Sequence, residues 1–167
     1  KLNIFLIKYN QNKCCSMVEI YYFAYGSNLN IFQMMKRVGK WETSKRAYLE
    51  GYKLVFNVKS PRWGGYAANI RKTGNNMDKV YGVVYFLKVE KIAVLTSYEG
   101  PNSGPVYMDV KSEDGSIIRD VAVYGWDNDE QSEEPPEAYK QTILEGLRQH
   151  GYAQDVIEKV QREFTQS

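Results

Sequence analysis

Apolar residues recur along this chain with two different periods, and the switches between them outline its elements. Tyr21-Tyr22-Phe23-Ala24 is an aromatic run suited to a pleated, half-buried strand, and it breaks at Gly26-Ser27-Asn28, three residues that favour turns. From Asn30 onward Ile31, Phe32, Met34, Met35 and Val38 follow the spacing of a short amphipathic helix that stops at Gly39, with its Met and Phe residues read as core contacts and Ser27 and Asn28 as caps. Ala47 to Val58 alternates through Tyr48, Tyr52, Leu54, Phe56 and Val58, which predicts strand structure kinked at Gly51. Ser60-Pro61-Arg62-Trp63-Gly64-Gly65 reads as a flexible loop with an exposed Trp, a lid or a simple connection. Tyr66 to Ile70 and Val80 to Leu87 are strand patterns on either side of a turn-rich segment at Thr73 to Asn76, which predicts a hairpin. Lys88 to Tyr98 changes to helical periodicity. Val106 to Val110 and Ile117 to Trp126 then flank Asp114-Gly115, a strong hairpin signal. Asp127 to Glu134 reads as a solvated acidic loop, and Pro135-Pro136 stops it before two helical patterns, Glu137 to His150 and Ala153 to Phe164. The fold class is therefore α/β, of the α+β kind, with one helix inserted into a sheet and two helices at the C-terminus.

Length and charge narrow this picture. At 167 residues without an internal repeat, the chain suits one domain with one sizeable core. The net charge of +2 is nearly balanced and the basic residues are scattered among acidic ones, which argues against nucleic acid as a partner. Cys14 and Cys15 are adjacent and poorly placed to bridge each other, so no disulfide framework is expected. The apolar run Ile4 to Ile7 is too short for a secretory leader or a membrane span, so the reading is no membrane partner and a cytoplasmic location. Met17 followed by Val18-Glu19-Ile20 resembles a start, so residues 1–16 read as an N-terminal tag, extension or arm, and residues 17–167 as the single domain.

Two stretches carry candidate chemistry. The turn at Gly26 joins a strand to a helix N-terminus, where backbone N–H groups lack partners, which makes it a candidate cradle for a carboxylate or a developing oxyanion; the bland alternative is a strand-turn-helix that binds nothing. In the inserted helix Ile92, Leu95, Thr96 and Glu99 share one stripe, so the apolar face ends in a carboxylate. Glu99 also precedes Gly100-Pro101, a helix stop, and so sits at the negative end of the helix dipole. Burial and dipole both raise its pKa toward the range of a general acid and base; the alternative is a Glu at a frayed end pointing to solvent. His150 is the sole histidine and reads as surface scenery, so a Ser-His-Asp triad or a His-rich metal site has little to draw on. No P-loop or dinucleotide fingerprint is present. Any chemistry falls to carboxylates, Tyr, Ser and backbone groups, a set that suits an intramolecular reaction whose nucleophile is already in the substrate.

Tyr22-Phe23-Ala24-Tyr25-Gly26-Ser27-Asn28-Leu29, the strand Val80 to Tyr85, Tyr98-Glu99-Gly100, and Tyr139 after a Pro-rich loop together resemble the γ-glutamylcyclotransferase family in type and order, from about Tyr21 to Tyr152. The resemblance implies a small mixed β-barrel with no metal and no cofactor, and a small-molecule γ-glutamyl substrate converted to 5-oxoproline and a free amine. It further implies that Tyr22, Phe23, Ala24, Tyr25, Gly26 and Ser27 bind the γ-glutamyl group, that Glu99 is the general acid/base, that Tyr139 contacts substrate, and that Tyr107 lies near the carboxylate. Family relatives suggest a homodimer, which nothing in the sequence demands. The spacing within Arg62 to Asn69 departs from the family pattern, which bears on the leaving amine. A non-catalytic ligand-binding member of the same fold, and a cyclase acting on a γ-glutamyl group carried by a larger carrier or a lysine, are the alternatives; Glu99 favours an enzyme over the first.

Overall fold

A computed structural model describes residues 18–99 and 104–165; the expected N-terminal extension lies outside the described residues. Among the described residues seven strands and four helices follow in the order β1 (Glu19–Ala24), α1 (Ile31–Val38), β2 (Thr43–Glu50), β3 (Tyr52–Ser60), β4 (Gly65–Lys72), β5 (Lys79–Lys88), α2 (Glu90–Glu99), β6 (Val106–Ser112), β7 (Ile117–Val123), α3 (Glu137–Gln149) and α4 (Gln154–Glu163). Five strands close a barrel in the order β1-β5-β2-β6-β7, and β3 with β4 forms a separate two-stranded ribbon. All neighbours are antiparallel except β1 and β7, whose parallel pairing, Tyr22 opposite Ala122 and Phe23 opposite Val123, shuts the barrel.

Phe23, Val83, Tyr85, Leu87, Val110 and Val121 are all fully buried, on both faces of the barrel wall: Phe23 shares a face with its partner Val84, while Val83, Tyr85 and Leu87 pair with Ala24, Tyr22 and Ile20 on the other. Gly82 on β5 is required by this packing, because a Cβ there would stand 2.3 Å from the Ala24 carbonyl oxygen and 2.6 Å from the Phe23 ring. Between the last helices, Tyr152 reaches back to the barrel and donates to the carbonyls of Gly82 at 2.6 Å and Ala47 at 3.0 Å. Among the described residues no helix is long and apolar enough to cross a membrane.

Several expectations are corrected by pairings that lie far apart in sequence. The kinked strand around Gly51 is two strands in two sheets: Gly51 has a φ of 78°, and its carbonyl accepts from Thr73 N–H. The hairpin expected between Tyr66–Ile70 and Val80–Leu87 does not form. Instead β4 pairs with β3, while β5 pairs with β1 and β2, and the β2–β5 ladder runs from Thr43 opposite Phe86 to Glu50 opposite Lys79. The β3–β4 ribbon is thus an excursion from the tip of the β2–β5 pair, a nesting that local turn signals do not reveal. In α1 only Met34 and Val38 are buried; Phe32 and Met35 are exposed, because the eight-residue helix packs along one narrow edge, against the turn before it and against α2. The acidic loop is docked and not merely solvated: Ser132 is buried and accepts from Phe56 N–H, Glu133 N–H donates to the Phe56 carbonyl, and Asn57 reaches the Glu130 carbonyl. Its carboxylates remain outside while its backbone runs along β3. The β6–β7 hairpin, the inserted helix and the two terminal helices form as the periodicity predicts.

Candidate active site

β1 delivers Tyr22, Phe23 and Tyr25 to one end of the barrel, and the chain then turns through a single 3-10 segment, Ser27–Leu29, before entering α1. The expected caps are replaced: Asn30 accepts from Gln33 N–H at 3.0 Å and starts α1, which leaves Asn28 free for another task. Asn28 is buried, donates to the Tyr22 hydroxyl at 2.8 Å, and accepts from the Arg37 guanidinium at 2.6 Å. Gly26 has a φ of −106°, so no left-handed conformation calls for glycine. Close approach does: a Cβ there would lie 2.8 Å from the Tyr139 hydroxyl. That hydroxyl accepts from Ala68 N–H at 3.1 Å. With a backbone N–H donating to it, the hydroxyl keeps its own proton to donate to a further acceptor. Burial pushes the Tyr139 phenol up to about 12, so it stays a donor at any physiological pH. Trp63, read as exposed, is partly buried and packs edge-on to Tyr139 with ring centroids 4.8 Å apart.

The turn is held from behind as firmly as from the front. Gly146 of α3 brings the helix so near that a Cβ would stand 2.5 Å from the Leu29 carbonyl carbon and 2.6 Å from Asn30 N. Tyr85 donates to the Asn28 carbonyl at 3.1 Å, and His150 Nε2 lies 2.9 Å from the Tyr85 hydroxyl and 3.1 Å from the Leu29 carbonyl. Burial lowers the His150 pKa, which favours the neutral ring. Far from being scenery, His150 braces the turn.

Opposite the turn, α2 places Ile92 and Leu95 in the core, and Thr96 lies 2.6 Å from the Tyr124 hydroxyl, tying the helix to the end of β7. One turn further on, Glu99 joins Tyr22, Phe23, Tyr25, Gly26, Ser27, Asn28, Ala68, Tyr124 and Tyr139 around one hollow of about 40 Å³. Glu99 is partly buried. Burial pushes its carboxyl up to about 6 against the opposing pull of Arg37 and Arg62. In turn its negative charge, after burial itself, helps hold the Tyr22 and Tyr25 phenols well above their ordinary pKa. Gly100 and Pro101, expected to stop the helix, lie outside the described residues.

Of the residues expected at the site, the structure brings together Glu99, Tyr22, Phe23, Tyr25, Gly26, Ser27 and Tyr139. Ala24 is buried within the barrel and Tyr107 is 58% exposed on β6; neither lines the hollow. Tyr124, beyond the end of β7, supplies a phenol to the hollow instead, because β7 and not β6 lies beside β1. Tyr124, Ala68 and the arginines carry no local signal in the sequence; Asn28 was in view only as a cap.

Comparison with known proteins agrees with this geometry. The family model for gamma-glutamyl cyclotransferase, AIG2-like proteins matches residues 22–143. The chain belongs to this γ-glutamyl cyclotransferase family. It is 32% identical over 146 residues to the gamma-glutamylcyclotransferase of Mus musculus, covering 83% of this chain and 76% of that protein. Against the Bos taurus gamma-glutamylcyclotransferase it is 31% identical over 137 residues, covering 78% of this chain and 71% of that one. A solved gamma-glutamyl cyclotransferase superposes with a TM-score of 0.77 at 27% identity over 86% of this chain and 87% of the other. The fold is thus that of the γ-glutamyl cyclotransferases, and membership supports cyclotransferase activity in general.

Proposed function

We propose that this protein cyclises the γ-glutamyl group of a γ-glutamyl amino acid or amine, releasing 5-oxoproline and the free amine, with Glu99 as the single proton carrier. One observation carries the reading: a carboxyl whose pKa is raised to about 6 shares a small aromatic-walled hollow with the Gly26 turn and with a buried tyrosine that accepts from a backbone N–H and keeps its proton to donate. The substrate's α-amine, attacking in its neutral form, bonds to the γ-carbonyl carbon and closes a five-membered ring. Ionised Glu99 accepts the proton that the attacking nitrogen sheds and delivers it to the departing nitrogen as the old C–N bond breaks. The γ-carbonyl oxygen carries negative charge in between, and the Tyr139 hydroxyl with backbone N–H groups of the turn offers it donors. Folding the substrate so that its own amine meets its own carbonyl supplies much of the acceleration, so one carboxylate suffices. Incubating the protein with γ-glutamyl dipeptides and γ-glutamyl alkylamines and measuring 5-oxoproline tests this directly. Formation from at least one of them is expected, and none from any would overturn the reading.

A further inference from the structure

Tyr124 follows the end of β7, and the chain from there to residue 136 runs as a strap without regular secondary structure. One buried side chain grips the start of this strap. Asn69 of β4 is 1% exposed and pairs with the backbone of Trp126 in both directions: Trp126 N–H donates to its Oδ1 at 2.9 Å, and its Nδ2 donates to the Trp126 carbonyl at 2.9 Å. The same oxygen accepts from Ile70 N–H at 2.8 Å, and the same nitrogen donates to Asn57 Oδ1 at 2.9 Å. Both donors and both lone pairs of the amide are thus engaged. Asn57, equally buried, stands at the bulge of β3 between Phe56 and Val58 and extends the grip to the Glu130 carbonyl at 3.0 Å. Gly125 lets the two segments close up, since a Cβ there would lie 3.2 Å from the Ile70 side chain.

Both ends of this clamp lead to the hollow of Glu99. One residue before Asn69 is Ala68, which lines the hollow and donates to the Tyr139 hydroxyl at 3.1 Å. Two residues before Trp126 is Tyr124, which walls the hollow and whose hydroxyl lies 2.6 Å from Thr96 on the helix that carries Glu99. β4 and β7 belong to different sheets, so no strand ladder sets the distance between these two walls. The amide of Asn69 takes the place of one. We infer that Asn69 is a positioning residue for the reaction at Glu99: by tying Trp126 to β4 it sets how far the Tyr124 wall stands from the wall of Ala68 and Tyr139. The inference rests on the cyclisation proposed above and adds to it a residue that does not itself line the hollow. A space of about 40 Å³ leaves little slack. A wall displaced by about 1 Å misplaces the reacting groups, at a cost on the order of 10²-fold, and admits water to Glu99.

Asn69→Ala removes the clamp and none of the groups that act on Glu99 or respond to its charge, which are the Tyr22, Tyr25, Tyr124 and Tyr139 phenols and the Arg37 and Arg62 guanidiniums. With γ-glutamyl-alanine as substrate, kcat should fall on the order of 10- to 100-fold while KM changes by less than about threefold. Water in the hollow relieves the burial that raises the Glu99 carboxyl, so the acid limb of kcat/KM should move below its native position near 6. Ser132→Ala is the control: it strips the acceptor from Phe56 N–H at the far end of the same strap, and should lower stability in urea while leaving kcat and the limb in place. Asn69→Ala that loses stability yet keeps either the native kcat or the native limb would overturn the assignment, and so would Ser132→Ala moving both as far. If Asn69→Ala does not fold, Asn69→Thr, which suits a strand and lacks the amide, carries the same measurements. If the native protein forms no 5-oxoproline, the cyclisation fails on its own, and the Glu99 titration followed by carbon-13 NMR decides the clamp separately. A lower Glu99 pKa in Asn69→Ala would uphold it, and an unchanged one would sink it.

Discussion

Glu99 concentrates the chemistry in one side chain, and its environment sets a pH window. The carboxyl must be ionised to accept a proton, and burial raises its pKa to about 6. The kcat/KM should therefore rise with pH through an acid limb near 6 and fall away below it. Arg37 and Arg62 oppose burial by favouring the ionised form. Arg37→Met should consequently move the limb to higher pH, and a pH–rate profile of that variant showing no shift, or a shift downward, would refute the coupling. Glu99→Gln keeps the shape and removes the shuttle. Turnover should fall by about 10²- to 10⁴-fold with substrate affinity largely kept, as single-turnover rates and calorimetry would show. The same change removes a group that resists ionisation when buried. Because the raised pKa makes the native protein lose stability as pH climbs from the unfolded value through about 6, the Gln variant should lose that part of the pH dependence.

At the level of elements, the site depends on one turn gripped between a barrel strand and α3. Gly146 is the point of closest approach, and the atoms a Cβ would strike are backbone atoms of Leu29 and Asn30. Helix propensity alone would make Gly146→Ala stabilising by about 1 kcal/mol. The packing reverses the sign, so the variant should lose about 1–3 kcal/mol in urea unfolding and lose activity with it, since the turn must move. A gain in stability at unchanged activity would show that α3 does not set the turn's position. His150 and Tyr85 act on the same turn through the carbonyls of Asn28 and Leu29. Neither could be read as a brace from its neighbours in sequence, because the contacts span 57 and 121 residues.

For the molecule as a whole, closure of the barrel and docking of the last helices are coupled through Tyr152. Its hydroxyl satisfies the carbonyls of Ala47 and Gly82 on adjacent strands. Tyr152→Phe keeps the ring and strips both partners, leaving one buried carbonyl or more short of a donor, and should cost about 1–3 kcal/mol by thermal or denaturant unfolding. The ribbon of β3 and β4 stands at the same scale. It carries Arg62 and Trp63 at its turn and Ala68 midway along β4, so an excursion from the β2–β5 tip supplies both the indole packed on Tyr139 and a donor to its hydroxyl.

Local rules governed much of what could be read in advance. The aromatic run ending at Gly26, the Asp114-Gly115 hairpin, the helix placing Glu99 beyond Ile92 and Leu95, and the paired terminal helices each follow from periodicity or turn chemistry within a few residues, and the Tyr-Gly-Ser-Asn turn with its distant Glu and Tyr marked the family. What the sequence did not decide is which strands are neighbours. Strand identity is written in side-chain alternation, but pairing is settled by where burial and backbone hydrogen bonds can be satisfied at once across the whole chain. That choice separated β2 from β3, set β7 rather than β6 beside β1 so that Tyr124 and not Tyr107 faces the carboxylate, and brought Arg37 and Arg62 to one ring. The residues that make an acid at position 99 were legible along the chain; the company it keeps was fixed only when the barrel closed.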